Sequence, residues 1–160
     1  MTMFSTRNDL SGKSRTRLIA LLNANLHDLV DLHSQTKHAH WNVKGPLFIA
    51  LHELFDKLAE ELEDAIDETA ERATALGGTA AGTVRQAAAN SRVEEFPRDT
   101  HAGPEVVTAL AERYAAVAKS TREAIDEAAK LGDAGTADLF TQHVRELDKA
   151  LWSLEAHQQS

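Results

Sequence analysis

The 160-residue chain contains no cysteine, only three prolines and eight glycines, and few aromatic residues. Without cysteine there are no disulfide staples, thiolate metal sites or thiol nucleophiles, and the composition fits a protein of the cytoplasm. Scarce proline and glycine leave long stretches free of helix breakers. No apolar run approaches the roughly 18 residues of a membrane span, and the N-terminus MTMFSTRNDL has no signal-like apolar segment, so no membrane association is expected. Basic charge is also short. The formal net charge is −8, the wrong sign for a purely electrostatic nucleic-acid binder.

What is abundant is Ala, Leu, Glu and Asp, a helical composition, and the length suits one domain with its own core. Residues 1–15 read as a flexible polar tail, and residues 16–158 as the folded body. From Thr16 to Val43, Leu18, Leu22, Leu26, Leu29 and Leu32 recur at steps of three and four, predicting an amphipathic helix that Gly45-Pro46 ends. A second helix follows, with Leu51, Leu54, Phe55, Leu58, Leu62 and Ile66 on one face and Gly77-Gly78 as its stop. Residues 79–103 are rich in small residues and predict a long crossover carrying a short helix near Thr83–Asn90. Pro104 starts another long helix that Gly132 stops, and Leu139, Val144, Leu147, Leu151 and Leu154 mark the last, to about His157. Two short connections around one long crossover predict an all-α, ferritin-like four-helix bundle.

The acid is concentrated in one place. From His52 to Arg72 nine carboxylates face two bases, giving −7, nearly the whole excess. Within that stretch His52 and Asp56 lie four apart on one helix face, as do Asp67 and Glu71. Asp56 and Asp67 are eleven apart, about three turns, so both pairs share a stripe. Yet eleven residues span about 16 Å of helix axis, whereas metal ligands sit about 2 Å from their ion. One helix therefore cannot bring both pairs to one ion, but two antiparallel copies related by a two-fold axis near residues 61–62 can, giving two equivalent sites. His40, at the end of the first helix, completes each site. Imidazoles with carboxylates suit a borderline first-row ion, with Fe(II), Zn(II) and Mn(II) all open. The Glu-x-x-His signature of a di-iron site inside a single bundle is absent, because none of the eight histidines has an acid three residues earlier.

The strings TKHAHWNVKGPLFIALHELFD, ETAERATALGGTAAGT and ELDKALW together resemble the Dps family, the mini-ferritins, over nearly the whole chain, with HWN-x-x-G, H-x-x-x-D and D-x-x-x-E-R as the specific part. The resemblance implies a hollow homododecamer built from two-fold dimers, with up to two irons per inter-subunit site. Fe(II) would be oxidised there, preferentially by hydrogen peroxide, and stored as ferric mineral, protecting DNA. It implies His40, His52 and Asp56 from one subunit and Asp67 and Glu71 from its partner as ligands, and Trp41 and Trp152 as electron donors to a trapped oxidant. It further implies Glu61 and Asp64 as mineral-nucleating residues and Asp138, with Asp133, at an acidic iron-admitting pore. Asp133 and Asp138 also fit a helix start, where the macrodipole favours acid. For DNA the chain departs from the family's lysine-rich tail. Arg7, Lys13, Arg15 and Arg17 against Asp9 give only +3 over the first 17 residues, a contact that would need multivalency. The alternative expectation is a nucleoid-associated, DNA-condensing protein in which iron chemistry is secondary, and a third is a plain structural bundle.

Overall fold

The computed structural model describes residues 3–159. Among these residues five helices and no strand are present: α1 (Gly12–Asn42), α2 (Phe48–Ala75), α3 (Val84–Asn90), α4 (Gly103–Lys130) and α5 (Ala134–Glu155). The long helices α1, α2, α4 and α5 form the expected four-helix bundle, and α3 is the short helix of the crossover, opened by a capping box between Thr83 and Gln86.

Two helix starts lie earlier than the apolar periodicity suggests, each because a side chain caps the end. Ser11 Oγ accepts from the Ser14 N–H at 3.0 Å, so α1 begins at Gly12 and residues 12–15 belong to the helix, not to a tail. Asp133 accepts from the N–H groups of Gly135 and Thr136, so α5 begins at Ala134, one and a half turns before Leu139. The chain before α1 lies on the bundle. The Phe4 N–H donates to the Gly77 carbonyl at 2.8 Å, and Met3 and Leu10 pack against the cluster of Leu18, Ile19, Leu22, Leu76 and Phe140. Gly77 has φ 86°, and a Cβ there would sit 2.7 Å from the Phe4 carbonyl oxygen, so this close approach requires glycine.

The bundle consists of the α1–α2 and α4–α5 hairpins packed together. The main core joins Leu29, Leu32, Leu51, Phe55, Leu62, Leu110, Tyr114, Val117, Leu147 and Leu154. Each such large side chain contributes about 1.5–3 kcal/mol on burial. The Lys44 N–H donates to the His101 carbonyl at 2.8 Å and the Gly103 N–H to the Lys44 carbonyl at 3.1 Å. The starts of α2 and α4 therefore lie side by side, so α2 and α4 run parallel and the crossover traverses the length of the bundle. Buried polar groups of α1 hold it down. Asn23 bonds the backbone of Thr79 and Ala81, His27 Nε2–H donates to the Ala81 carbonyl, and Asp28 accepts from the Arg92 guanidinium at 2.6 and 3.0 Å. These groups satisfy a loop that would otherwise bury bare backbone dipoles.

Candidate metal centre

The turn from Val43 to Leu47 folds the start of α2 back onto the end of α1, setting His40 against His52. Each imidazole locks the other. His40 Nδ1–H donates to the His52 carbonyl at 2.7 Å, and His52 Nδ1–H donates to the His40 carbonyl at 2.9 Å. The His40 carbonyl lies in the last turn of α1, where helical partners run out, so the ring of His52 supplies one. Because a carbonyl only accepts, both Nδ1 atoms carry protons, and in the neutral rings both Nε2 lone pairs are left for a ligand. The rings stack with centroids 3.8 Å apart. His40 is 9% exposed, so its orientation is fixed by packing as well.

Asp56, one turn beyond His52, faces the His40 ring. Its Oδ1 lies 3.8 Å from His40 Nε2. Two donors about 2.1 Å from one ion at near-tetrahedral angles are about 3.4 Å apart, so a small side-chain adjustment seats an ion between them. Lys37, three residues before His40, places its Nζ 2.5 Å from the same oxygen. That hydrogen bond is the main reason the Asp56 carboxyl is held below the usual carboxylate range, against a smaller opposing effect of burial. The donor set of imidazole nitrogens and a carboxylate suits a borderline first-row ion such as Fe(II).

Asp67 and Glu71 lie exposed on the same helix, three to four turns away. Among the described residues no three His, Asp or Glu side chains converge closely enough to hold a metal within one chain. The single chain thus presents a histidine-rich half and a carboxylate half that do not meet.

The other candidates fall at several places. Trp41 and Trp152 are 68% and 63% exposed, so neither belongs to this chain's core. Gln158 reaches Thr108 in the first turns of α4, which brings the end of α5, with Trp152, to the same end of the bundle as His40. Glu61 and Asp64 line an open acidic cleft of about 440 Å³ with Asp67, Glu68 and Glu146. Asp138 is exposed near the start of α5. Asp133 is not a pore-lining group: it is 5% exposed, and its carboxylate is taken up by the α5 cap and by Arg72 at 2.8 and 2.9 Å. Arg7, Lys13 and Arg17 are exposed, but Arg15 is used within the fold, donating to the carbonyls of Leu76 and Leu10 at 3.1 and 3.3 Å.

Two residues near the site carried no sequence signal. Lys37 was one lysine among several until the hairpin brought it to Asp56. His143, buried on α5, binds the Glu68 carboxylate at 3.1 Å through Nε2, and only the α2–α5 contact pairs them.

A model of the ferritin-like domain matches residues 19–160. The DNA protection during starvation protein of Agrobacterium fabrum is 43% identical over 99% of this chain and 98% of its own length. Among solved structures, DpsC from Streptomyces coelicolor superposes with a TM-score of 0.94 at 30% identity, covering 99% of this chain and 93% of that one. The Dps protein of Vibrio cholerae, described as a member of a broad superfamily of ferritin-like diiron-carboxylate proteins, superposes with a TM-score of 0.90 at 25% identity and covers 99% of both chains. Fold, sequence and the histidine–carboxylate stripe agree: the chain belongs to the Dps family of ferritin-like proteins.

Proposed function

We propose that this protein oxidises Fe(II) at sites shared between two-fold-related copies and stores the ferric product inside a dodecamer. His40, His52 and Asp56 of one copy and Asp67 and Glu71 of the other form each site. The observation that carries this reading is the reciprocal imidazole–carbonyl lock. It leaves the His40 Nε2 lone pair 3.8 Å from an Asp56 oxygen with the His52 ring stacked alongside, while among the described residues no three such donors converge within one chain.

The chemistry follows from the ligands. Two Fe(II) ions each give up one electron, and one hydrogen peroxide takes both, its O–O bond breaking to yield two hydroxides. Pairing the electrons avoids release of hydroxyl radical. Hard carboxylate oxygens favour the ferric product, and the acidic cleft around Glu61 and Asp64 offers oxygen ligands for mineral growth. Exposed Trp41 and Trp152, at the same end of the bundle as His40, would supply an electron when a site holds only one Fe(II). By consuming Fe(II) and peroxide together, the protein protects DNA in the cytoplasm chemically. DNA contact through residues 7–17 is the weaker reading, given the net charge and the internal use of Arg15.

The test is particle mass before and after anaerobic Fe(II) plus peroxide. The wild type should remain an assembly of about twelve chains and gain a soluble ferric core, while the paired Asp67→Ala, Glu71→Ala variant should lose rapid oxidation. Unchanged oxidation in that variant would overturn the site assignment.

A further inference from the structure

The hydrophobic core is not continuous along the bundle. It falls into two clusters, and on each long helix a buried polar residue stands where one gives way to the other. Asn25 lies between Leu22 and Leu29 on α1, and Thr69 between Ala65 and Ala73 on α2. Thr121 lies between Ala118 and Ala124 on α4, and His143 between Phe140 and Leu147 on α5. All four are at most 2% exposed. They form one polar layer across the bundle, tied directly by the Asn25–Thr121 hydrogen bond at 2.8 Å.

Three atoms of this layer have no partner within the chain: Asn25 Oδ1, Thr69 Oγ1 and His143 Nδ1. Their roles are fixed by the bonds around them. The Thr121 hydroxyl donates to the Val117 carbonyl, so toward Asn25 it can only accept, which makes Nδ2 the bonded atom and Oδ1 a free acceptor. His143 Nε2–H donates to the Glu68 carboxylate, so in the neutral ring Nδ1 is an acceptor as well. Thr36 and Thr121 give their hydroxyl protons to the carbonyl four residues earlier, but Thr69 does not, and its O–H is free to donate.

We propose that this layer is a binding site for one internal water molecule in the middle of each bundle. Two acceptors and one donor are the complement of a single water, which gives both protons to Asn25 Oδ1 and His143 Nδ1 and accepts from Thr69 Oγ1. A cation is excluded by the absence of a carboxylate in the layer to offset its charge. His143 also lines a cavity of about 20 Å³ with Leu62, Ala65 and Tyr114, enough for a water, which needs roughly 10–15 Å³. The water holds His143 in the tautomer that presents Nε2–H to Glu68, so the buried layer fixes one carboxylate of the acidic cleft. This inference is independent of the iron chemistry.

The test pairs a high-resolution crystal structure of the intact assembly with urea unfolding at fixed chain concentration. The wild type should show one ordered water within about 3 Å of all three atoms. Thr69→Val removes the donor while keeping the shape, so the water should be lost and the unfolding midpoint should fall. Thr69→Ser keeps the hydroxyl and should retain the water. In a dry layer the same valine would relieve an unpartnered buried hydroxyl, and the midpoint would rise. A rise in Thr69→Val, or wild-type density showing no water bridging the three atoms, would overturn the proposal.

Discussion

Replacing Asp133 by Ala should destabilise the bundle by about 2–4 kcal/mol. The Asp133 carboxylate does three things at once. It caps α5 through Gly135 N and Thr136 N, accepts the Thr136 hydroxyl, and takes a two-oxygen grip from Arg72 Nη2. Loss of a helix cap costs about 1 kcal/mol. Removing one partner of a buried pair costs about 3–5 kcal/mol, but the Arg72 side chain is 28% exposed and can recover water, so the pair's share is nearer the lower figure. The effect should depend on pH. Burial alone would raise the Asp133 carboxyl, but hydrogen bonds from Thr136 and Arg72 outweigh it and hold the group below its usual value. A depressed carboxylate contributes stability that is full above its unfolded value near 4 and is lost as pH falls through the folded value. The wild-type advantage over Asp133→Ala should therefore persist at pH 7 and shrink below about pH 4. The assay is urea unfolding at fixed chain concentration, since assembly couples to folding. A difference under about 0.5 kcal/mol at pH 7, the size of an ordinary surface substitution, would refute the account. Because Arg72 follows Glu71, the same substitution should also loosen the carboxylate half of the metal site.

Three further outcomes follow from single contacts. Gly77→Ala forces a left-handed φ on alanine and a 2.7 Å approach to the Phe4 carbonyl; it should cost about 1–2 kcal/mol and expose residues 3–10 to limited proteolysis, measured by cleavage rate. Tyr114→Phe removes only a 3.3 Å hydroxyl contact with Thr36 and should cost at most about 1.5 kcal/mol, whereas Tyr114→Ala should cost about 3–5 kcal/mol in the same unfolding assay. Trp41→Phe, at an exposed position, should leave Co(II) binding within about twofold (a change under about 0.5 kcal/mol) but reduce the protein-radical signal seen by electron paramagnetic resonance when peroxide exceeds Fe(II).

Much of this protein follows from its sequence alone. Helical periodicity and the breakers at Gly45-Pro46, Gly77-Gly78 and Gly132 define the four long helices, since the 3.6-residue repeat of apolar side chains is a local property. The eleven-residue offset between Asp56 and Asp67 is likewise arithmetic on a helix, and it shows that one chain cannot close the site. Other features depend on residues far apart in the chain and needed the fold. The tautomers of His40 and His52 are set by each other's carbonyls across the hairpin turn. The meeting of Lys37 with Asp56, of Arg72 with Asp133 and of His143 with Glu68 depends on which helix faces touch. The same dependence buries Asp133 in a helix cap and takes Arg15 out of the free basic charge. Periodicity tells which face of a helix is apolar, but only the packing of helix on helix decides which polar side chains at the edges of those faces become partners.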